Sequence, residues 1–351
     1  IRDRQNLLFS PYSLSLALAM TYAGARGETE QQMAEALHLL SQEQVHPAYN
    51  ALDQALANRG EQEGVTLTFA NALWPQKGYP FLDSFLDLLA ENYGAGLTPL
   101  DFSQAEAARQ QINQWASDQT EEKIQDLLPE GAVDGETALV LTNAVYLCAS
   151  WLNAFPPENT YKGGFKLLDG RQVGAPMMSQ TANLSYAQLD GVQAVELPYA
   201  GQELSMVVLV PDVGTFESYA SDLRAGTLSA VLGALQPASV RLDLPKFGYD
   251  SGFQLQQALT KLGMTDAFGM KADFSGMDGS QELFIDDVYH KAFIAVDEAG
   301  TEAAAASAVV MSRKGVGHPR ELIVDRPFVY LIRDVETGTI LFLGHVVNPG
   351  A

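Results

Sequence analysis

The chain has little cysteine, little histidine and little positive charge, and each shortage excludes something. Its one cysteine in 351 residues, Cys148, cannot close an internal disulfide and belongs to no spaced metal motif. A disulfide-stapled scaffold and a cysteine-ligated metal site are therefore ruled out. The five histidines are His38, His46, His290, His318 and His345; they form no H-E-x-x-H and no pair at ligand spacing, so no metal or cofactor is expected. Lys and Arg number 21 against 43 Asp and Glu, a net charge of −22 with a pI near 4.4. Such a field repels nucleic acid, anionic membrane surfaces and acidic polysaccharides, and no run of cations opposes it. No apolar run approaches the roughly 20 residues that span a bilayer.

The motifs of common enzymes are missing as well. There is no G-x-S-x-G elbow, no G-x-x-x-x-G-K-[ST] loop and no G-x-G-x-x-G turn. Acidic pairs such as Asp286-Asp287 invite an acid/base reading. Neighbouring side chains on a strand point to opposite faces, so a capping or solvated role is the better expectation.

What is present is a chain able to bury a large core, with 47% hydrophobic and 18% charged residues. Pro11 stands where a helix can begin, and Leu14, Leu16, Leu18, Ala19 and Ala23 extend it toward Gly24 and Gly27. A second helix is expected from Thr29 to Leu39, opened by a Thr29/Gln32 capping box. Helical spacing then runs from Gln111 through Thr120 to Leu128, where Pro129 stops it. After that the period changes. Runs rich in Val, Leu and Ile at Thr137 to Leu147, Val192 to Tyr199, Leu204 to Val210, Val240 to Leu244 and Leu283 to Val296 predict strands. Leu322 to Val347 reads as a hairpin about Glu336-Thr337-Gly338. No repeat or linker divides the chain, so one mixed α+β domain over residues 1–351 is expected.

Residues 289–326 carry the functional argument. Tyr289 to Val296 is strand-like, Asp297 to Gly300 breaks it, and Thr301 to Ala308 is on propensity alone an exposed alanine-rich helix capped by Thr301. Two features oppose that reading. Beyond Ala308 the residues turn β-branched and then basic and loop-like through Arg313, Lys314, Gly315 and Gly317, a long tether with a trypsin-type cleavage sequence. In strand geometry, moreover, Thr301, Ala303, Ala305, Ser307, Val309 and Met311 share one face that is small to apolar and uncharged. Such a segment can enter the middle of a sheet, where a desolvated charge would cost several kcal/mol.

With these residues the chain resembles the serpins, inhibitors that trap serine proteases by loop insertion, and among them an inhibitory member of prokaryotic type. The resemblance includes NLLFSPYSLSLALAMTYAGARG (Asn6 to Gly27), LTNAVYLCASW (Leu141 to Trp151), Pro176 to Met178, Leu197 to Tyr199, LPKF (Leu244 to Phe247), His290 to Ala306, and Asp325 to Pro349. It implies a single domain with three β-sheets, about eight or nine helices and an exposed reactive-centre loop within residues 298–326. Glu298, Gly300, Thr301, Ala303, Ala304, Ala305 and Ala306 match the hinge of that loop. The family spacing of sixteen residues from Glu298 puts the scissile bond between Lys314 and Gly315. The loop's far side is longer than usual by about two residues, so cleavage after Arg313, or as late as Val316, stays open. Ser10, Ser13, Asn143 and His290 match the shutter beneath the opening strands, and Trp151, Lys246 and Glu298 match the breach where insertion begins.

The implied activity is suicide inhibition of a trypsin-like protease in a covalent one-to-one complex, by a metastable, secreted monomer that is no enzyme. The alternative is a non-inhibitory member, a carrier, chaperone or storage protein cleaved as a substrate. No basic cluster matches a glycosaminoglycan site, so heparin activation is not expected. The family's first helix is largely absent ahead of Asn6, and a start at Ile1 suits a trimmed chain of extracellular or periplasmic setting.

Overall fold

A computed structural model describes residues 5–61, 64–94, 96–302 and 318–350. Strand β1 (Leu7–Phe9) leads into helix α1 (Pro11–Tyr22), whose start is fixed by the Ser10 hydroxyl accepting from Ser13 N and by Pro11 in the first turn. Nearly every α1 side chain from Tyr12 to Tyr22 is buried, as expected of a helix apolar all round. Helices α2 (Gly27–Leu37) and α3 (Gln42–Ala57) follow. The expected capping box at the start of α2 does not form. Thr29 Oγ1 instead accepts from Asp273 N, and Gln32 Oε1 accepts from Thr265 N and Asp266 N, because the helix docks on that loop and its polar side chains serve tertiary donors.

Next come β2 (Val65–Pro75), α4 (Asp83–Tyr93), β3 (Gly96–Leu97), α5 (Ala105–Gln119) and β4 (Leu139–Ser150). The helix predicted to reach Leu128 ends at Gln119. Glu121 and Glu122 adopt left-handed φ of 48° and 65°, Thr120 Oγ1 accepts from Ile124 N, and the Asn113 side chain both accepts from Leu128 N and donates to Leu128 O. These local bonds replace the helical ladder.

The rest of the chain is mostly strand: β5 (Tyr161–Lys166), β6 (Gln172–Leu189), β7 (Val192–Pro198), β8 (Leu204–Pro211), β9 (Gln236–Pro245), β10 (Phe247–Gln254), β11 (Tyr289–Val296), β12 (Gly300–Thr301), β13 (Arg320–Ile323), β14 (Phe328–Asp334) and β15 (Ile340–Val346). Short helices α6 (Phe216–Ser221), α7 (Ala225–Ala234), α8 (Gln256–Lys261) and α9 (Ser275–Asp278) punctuate it. The strand predicted from Leu283 begins only at Tyr289. The Asp287 carboxylate accepts from Gln256 N at the start of α8 and from Val288 N, so Asp287 caps, and the segment before β11 leaves the sheet. The hairpin closes as predicted, with Gly338 at φ 73° between β14 and β15.

Backbone pairing among the described residues gives a nine-stranded and a six-stranded sheet. The three sheets expected from the resemblance are joined into these two because β6 serves as a common strand. It pairs with β5 over Gln172 to Met177, with β9 over Met177 to Tyr186 and with β7 over Ser185 to Leu189. The smaller sheet runs β10-β11-β12-β4-β2-β3. Its inner face packs on the larger sheet and α1 through the main core, and Ala108, Ile112 and Ala116 of α5 cover its outer face. Among the described residues no helix is long and apolar enough to cross a membrane.

Candidate functional site

The smaller sheet contains a slot. β4 and β11 run parallel, and their direct pairing consists of Lys291 with Ala144 and Ala292 with Val145. Toward the C-terminal ends of these strands the two part and admit β12. Gly300 pairs with Ser150 and Thr301 with Ala149, both antiparallel to β4, while Thr301 also faces Val296 of β11. The chain turns back from β11 through Asp297, whose side chain accepts from Ala299 N at 2.8 Å and Gly300 N at 3.3 Å. Gly300 is required by close approach: a Cβ there would sit 2.0 Å from Ala149 O.

Five of the residues matched to hinge and breach, Trp151, Lys246, Glu298, Gly300 and Thr301, converge at this point. Thr301 is 2% exposed, and its hydroxyl lies 2.7 Å from Tyr199 Oη. The Tyr199 ring stacks on Trp151 at 4.6 Å with 9° between planes. Trp151 holds the turn by two bonds, Nε1 to Asp297 O at 3.0 Å and N to Ala299 O at 2.8 Å. Glu298 accepts from Lys246 Nζ at 2.7 Å and Thr160 Oγ1 at 2.8 Å. Burial alone would raise the Glu298 carboxyl, but those two donors reverse the effect and hold its pKa below the ordinary value.

One step further, the chain leaves the sheet. Glu302 has φ 54°, a left-handed conformation uncommon for a side chain of its kind. Its carboxylate is nearly buried and meets Lys123 Nζ at 2.9 Å, while Oε2 has no partner among the described residues. Lys123 also sits 5.4 Å over the Phe293 ring of β11, and Cys148 Sγ donates to Glu302 O. Tyr199, Thr160, Lys123 and Glu302 were not singled out from sequence. Only Glu302, next to Thr301, carried a local signal.

Three of the four shutter residues lie together below the slot's pairing point or one helical turn away. His290 Nε2 accepts from Ser10 N at 3.2 Å, and Ser10 Oγ accepts from Ser13 N. Asn143 occupies β4 opposite Asn71 of β2. Burial lowers the His290 pKa to about 4, so the ring is neutral near pH 7. His290 Nδ1 and Ser13 Oγ are buried with no partner among the described residues, which leaves the cluster spare bonding capacity. Ala303, Ala304, Ala305, Ala306, Arg313, Lys314 and Gly315 lie outside the described residues.

A short strand at Gly300 and Thr301, seated between two central strands over a buried Ser-Ser-His cluster, agrees with the family model for Serpin (serine protease inhibitor), which matches residues 2–349. The chain belongs to the serpin family. An uncharacterized serpin-like protein of Thermococcus kodakarensis is 38% identical, over 99% of this chain and 82% of that protein. Leukocyte elastase inhibitor A of Rattus norvegicus is likewise 38% identical, over 98% of this chain and 93% of its own length. Among solved structures, the thermophilic serpin tengpin in the native state superposes with a TM-score of 0.88 at 31% identity, covering 99% of this chain and 90% of that one. The α+β serpin fold expected from the residues is thus the fold observed, and the family is one of protease inhibitors.

Proposed function

We propose that this single-domain serpin is a suicide inhibitor of trypsin-like serine proteases and has no turnover of its own. The observation that carries the reading is Thr301. It already occupies a strand position between β4 and β11, its side chain buried against Tyr199. The uncharged small residues that follow can extend the same strand, whereas bulky, charged or proline residues there would block it.

In the proposed cycle a protease serine attacks the Lys314 carbonyl carbon. The bond to Gly315 breaks, the Gly315 amine takes the proton, and Lys314 remains esterified to the enzyme. The freed stretch Thr301 to Lys314 then enters the slot. Fourteen residues at ~3.3 Å span ~46 Å, enough to carry the acylated enzyme to the opposite end of the sheet and distort its active site. New ladder bonds at roughly 1 kcal/mol net each, with the apolar surface buried, drive the step. Glu302 must change from its left-handed φ to an extended one, which makes it the pivot. Lys314 and Arg313 select proteases whose pocket carries an acid.

The test is to mix the protein with equimolar trypsin, and in parallel with an elastase because relatives are named for that target, then run a denaturing gel and map cleavage by mass spectrometry. An SDS-stable one-to-one complex with trypsin and release of a peptide beginning at Gly315 is expected. Cleavage without complex and without a gain in thermal stability overturns the insertion reading in favour of a substrate-like serpin. A complex with elastase alone overturns the trypsin-like specificity.

A further inference from the structure

At the foot of the slot, at the end away from the hinge, the structure holds a cavity of about 240 Å³. Its floor is apolar, formed by Leu14 and Leu18 of α1, Leu139 and Leu141 at the start of β4, and Ile285 in the segment before β11. The one hydroxyl that α1 brings there, Thr21 Oγ1, is spent on Ala17 O. Among the described residues no Lys, Arg or His lines the cavity, whereas five carboxylates do.

Those carboxylates are of two kinds. Asp287 caps α8, and Asp134 accepts from Glu136 N and Thr137 Oγ1, so both are engaged in holding the backbone. Glu136, Glu282 and Asp286 are exposed at the mouth, and their carboxylates make no hydrogen bond or ion pair among the described residues. They do not converge on a point: the described residues hold no group of three His, Cys, Asp or Glu placed to share a metal ion. A divalent ion wants about six oxygen ligands closing on it. An organic ammonium wants only a negative field around its head and apolar space for its body. Volume then sets the body. An apolar cavity of ~150 Å³ takes up benzene, so this one admits a chain of roughly eight carbons.

We propose that this cavity binds a small amphipathic monocation, its apolar body on the floor and its ammonium at the rim among Glu136, Glu282 and Asp286. Charge complementarity selects this occupant, because an anion of the same shape meets only repulsion and a neutral molecule leaves the rim unused. Since α1, the start of β4 and the segment before β11 all line the cavity, a bound molecule joins the two sides of the slot and opposes their parting. That consequence rests on the insertion reading; the binding itself does not.

The probe is a series of primary amines, butylamine, hexylamine and octylamine, with 1-octanol and octanoate as controls. Each is added below its aggregation concentration to the intact protein and to an E136Q/E282Q/D286N variant. All three substituted positions are exposed, so the variant is expected to fold, which circular dichroism checks. Affinity is read by calorimetry, and place by hydrogen-exchange protection over residues 137–141 and 282–289. Each methylene that enters the floor is expected to tighten binding about fourfold. Octylamine should bind roughly threefold to tenfold tighter than octanol, with octanoate weakest. The variant should bind octanol as before and lose the preference for the amine; it removes three of 43 acidic residues, so the general pull of the chain on cations persists. Equal binding of octylamine and octanol, or an unchanged preference in the variant, overturns the cationic ligand. Affinity that does not grow with chain length, or no protection over those stretches, overturns the cavity as its site. Saturating octylamine should also slow formation of the trypsin complex more in the unmodified protein than in the variant, compared at equal amine so that any effect on trypsin itself cancels; equal slowing overturns the brake. Binding is measured without protease, so octylamine that binds while trypsin forms no complex separates the failure of the inhibitory reading from the failure of this one.

Discussion

The two ends of the slot between β4 and β11 are built differently. At the head the incoming turn is held by named bonds: Trp151 and Asp297 hold the backbone, Tyr199 the Thr301 hydroxyl, and Lys246 with Thr160 the Glu298 carboxylate. At the foot there is an apolar cavity with a charged mouth and, among the described residues, no ladder between the strands. The difference teaches how one sheet can be both stable and ready to accept a strand. Under the proposed insertion, hydrogen bonds would fix where the strand enters, and unfilled apolar space would supply favourable burial at its end. Between the two lie the residues matched to the shutter, where His290 Nδ1 and Ser13 Oγ have no partner among the described residues.

The largest expected effect comes from breaking the head. Thr301→Arg would bury a cation beneath Tyr199, at a cost of several kcal/mol, and is expected to turn the inhibitor into a substrate. Trypsin would still cleave the loop while the SDS-stable complex disappears; an unchanged inhibition rate would refute insertion.

A smaller effect probes the shutter between head and foot. Burial holds the folded His290 pKa near 4 against an ordinary 6.5. The unfolded chain therefore takes up a proton below pH 6.5 that the folded protein refuses until pH 4. The stability due to the neutral ring is fully present above pH 6.5 and declines as pH falls, by about 3 kcal/mol at pH 4. His290→Gln keeps an acceptor for Ser10 N and should flatten this part of the denaturation profile. A His290→Gln profile parallel to that of the unmodified protein would locate the acid sensitivity elsewhere, with the buried His46 the next candidate, since burial lowers its pKa to about 4 as well.

The smallest effect sharpens the account of the head. Lys246→Met leaves Glu298 with Thr160 as its remaining side-chain donor and should cost about 1 kcal/mol in thermal denaturation, since the pair is partly solvent-screened. The same variant should raise the Glu298 pKa, visible by NMR titration. No change in either would mean that Trp151 and Asp297 alone seat the turn.

How much of this was legible depended on the range of the contacts. The β8 run Leu204–Pro211 and the β14–β15 hairpin announce themselves because their signals are local, an unbroken apolar run and a Glu-Thr-Gly turn. The capping box at Thr29 and Gln32 looked correct locally and failed because loop 265–273 offered those side chains better-placed donors. β6 was hidden: Pro176 and alternating polar residues disguise an 18-residue strand shared among three neighbours. At the site, Trp151, Lys246 and Glu298 were named from the family pattern. Tyr199 fell within a family-like segment, Leu197 to Tyr199, but was given no role, because its partner Thr301 lies 102 residues away in sequence. The pairing of Lys123 with Glu302 was hidden for the same reason, compounded by reading Lys123 as part of a helix.

Gly300 has a consequence for fidelity. With Ala149 O only 2.0 Å from where a Cβ would be, this one point in the slot admits no side chain. A slip of one residue in either direction would bring Ala299 or Thr301 there, and would also turn every following side chain to the wrong face. The glycine thus acts as a counting mark: a strand that extended from it under the proposed insertion would arrive in phase over its whole length.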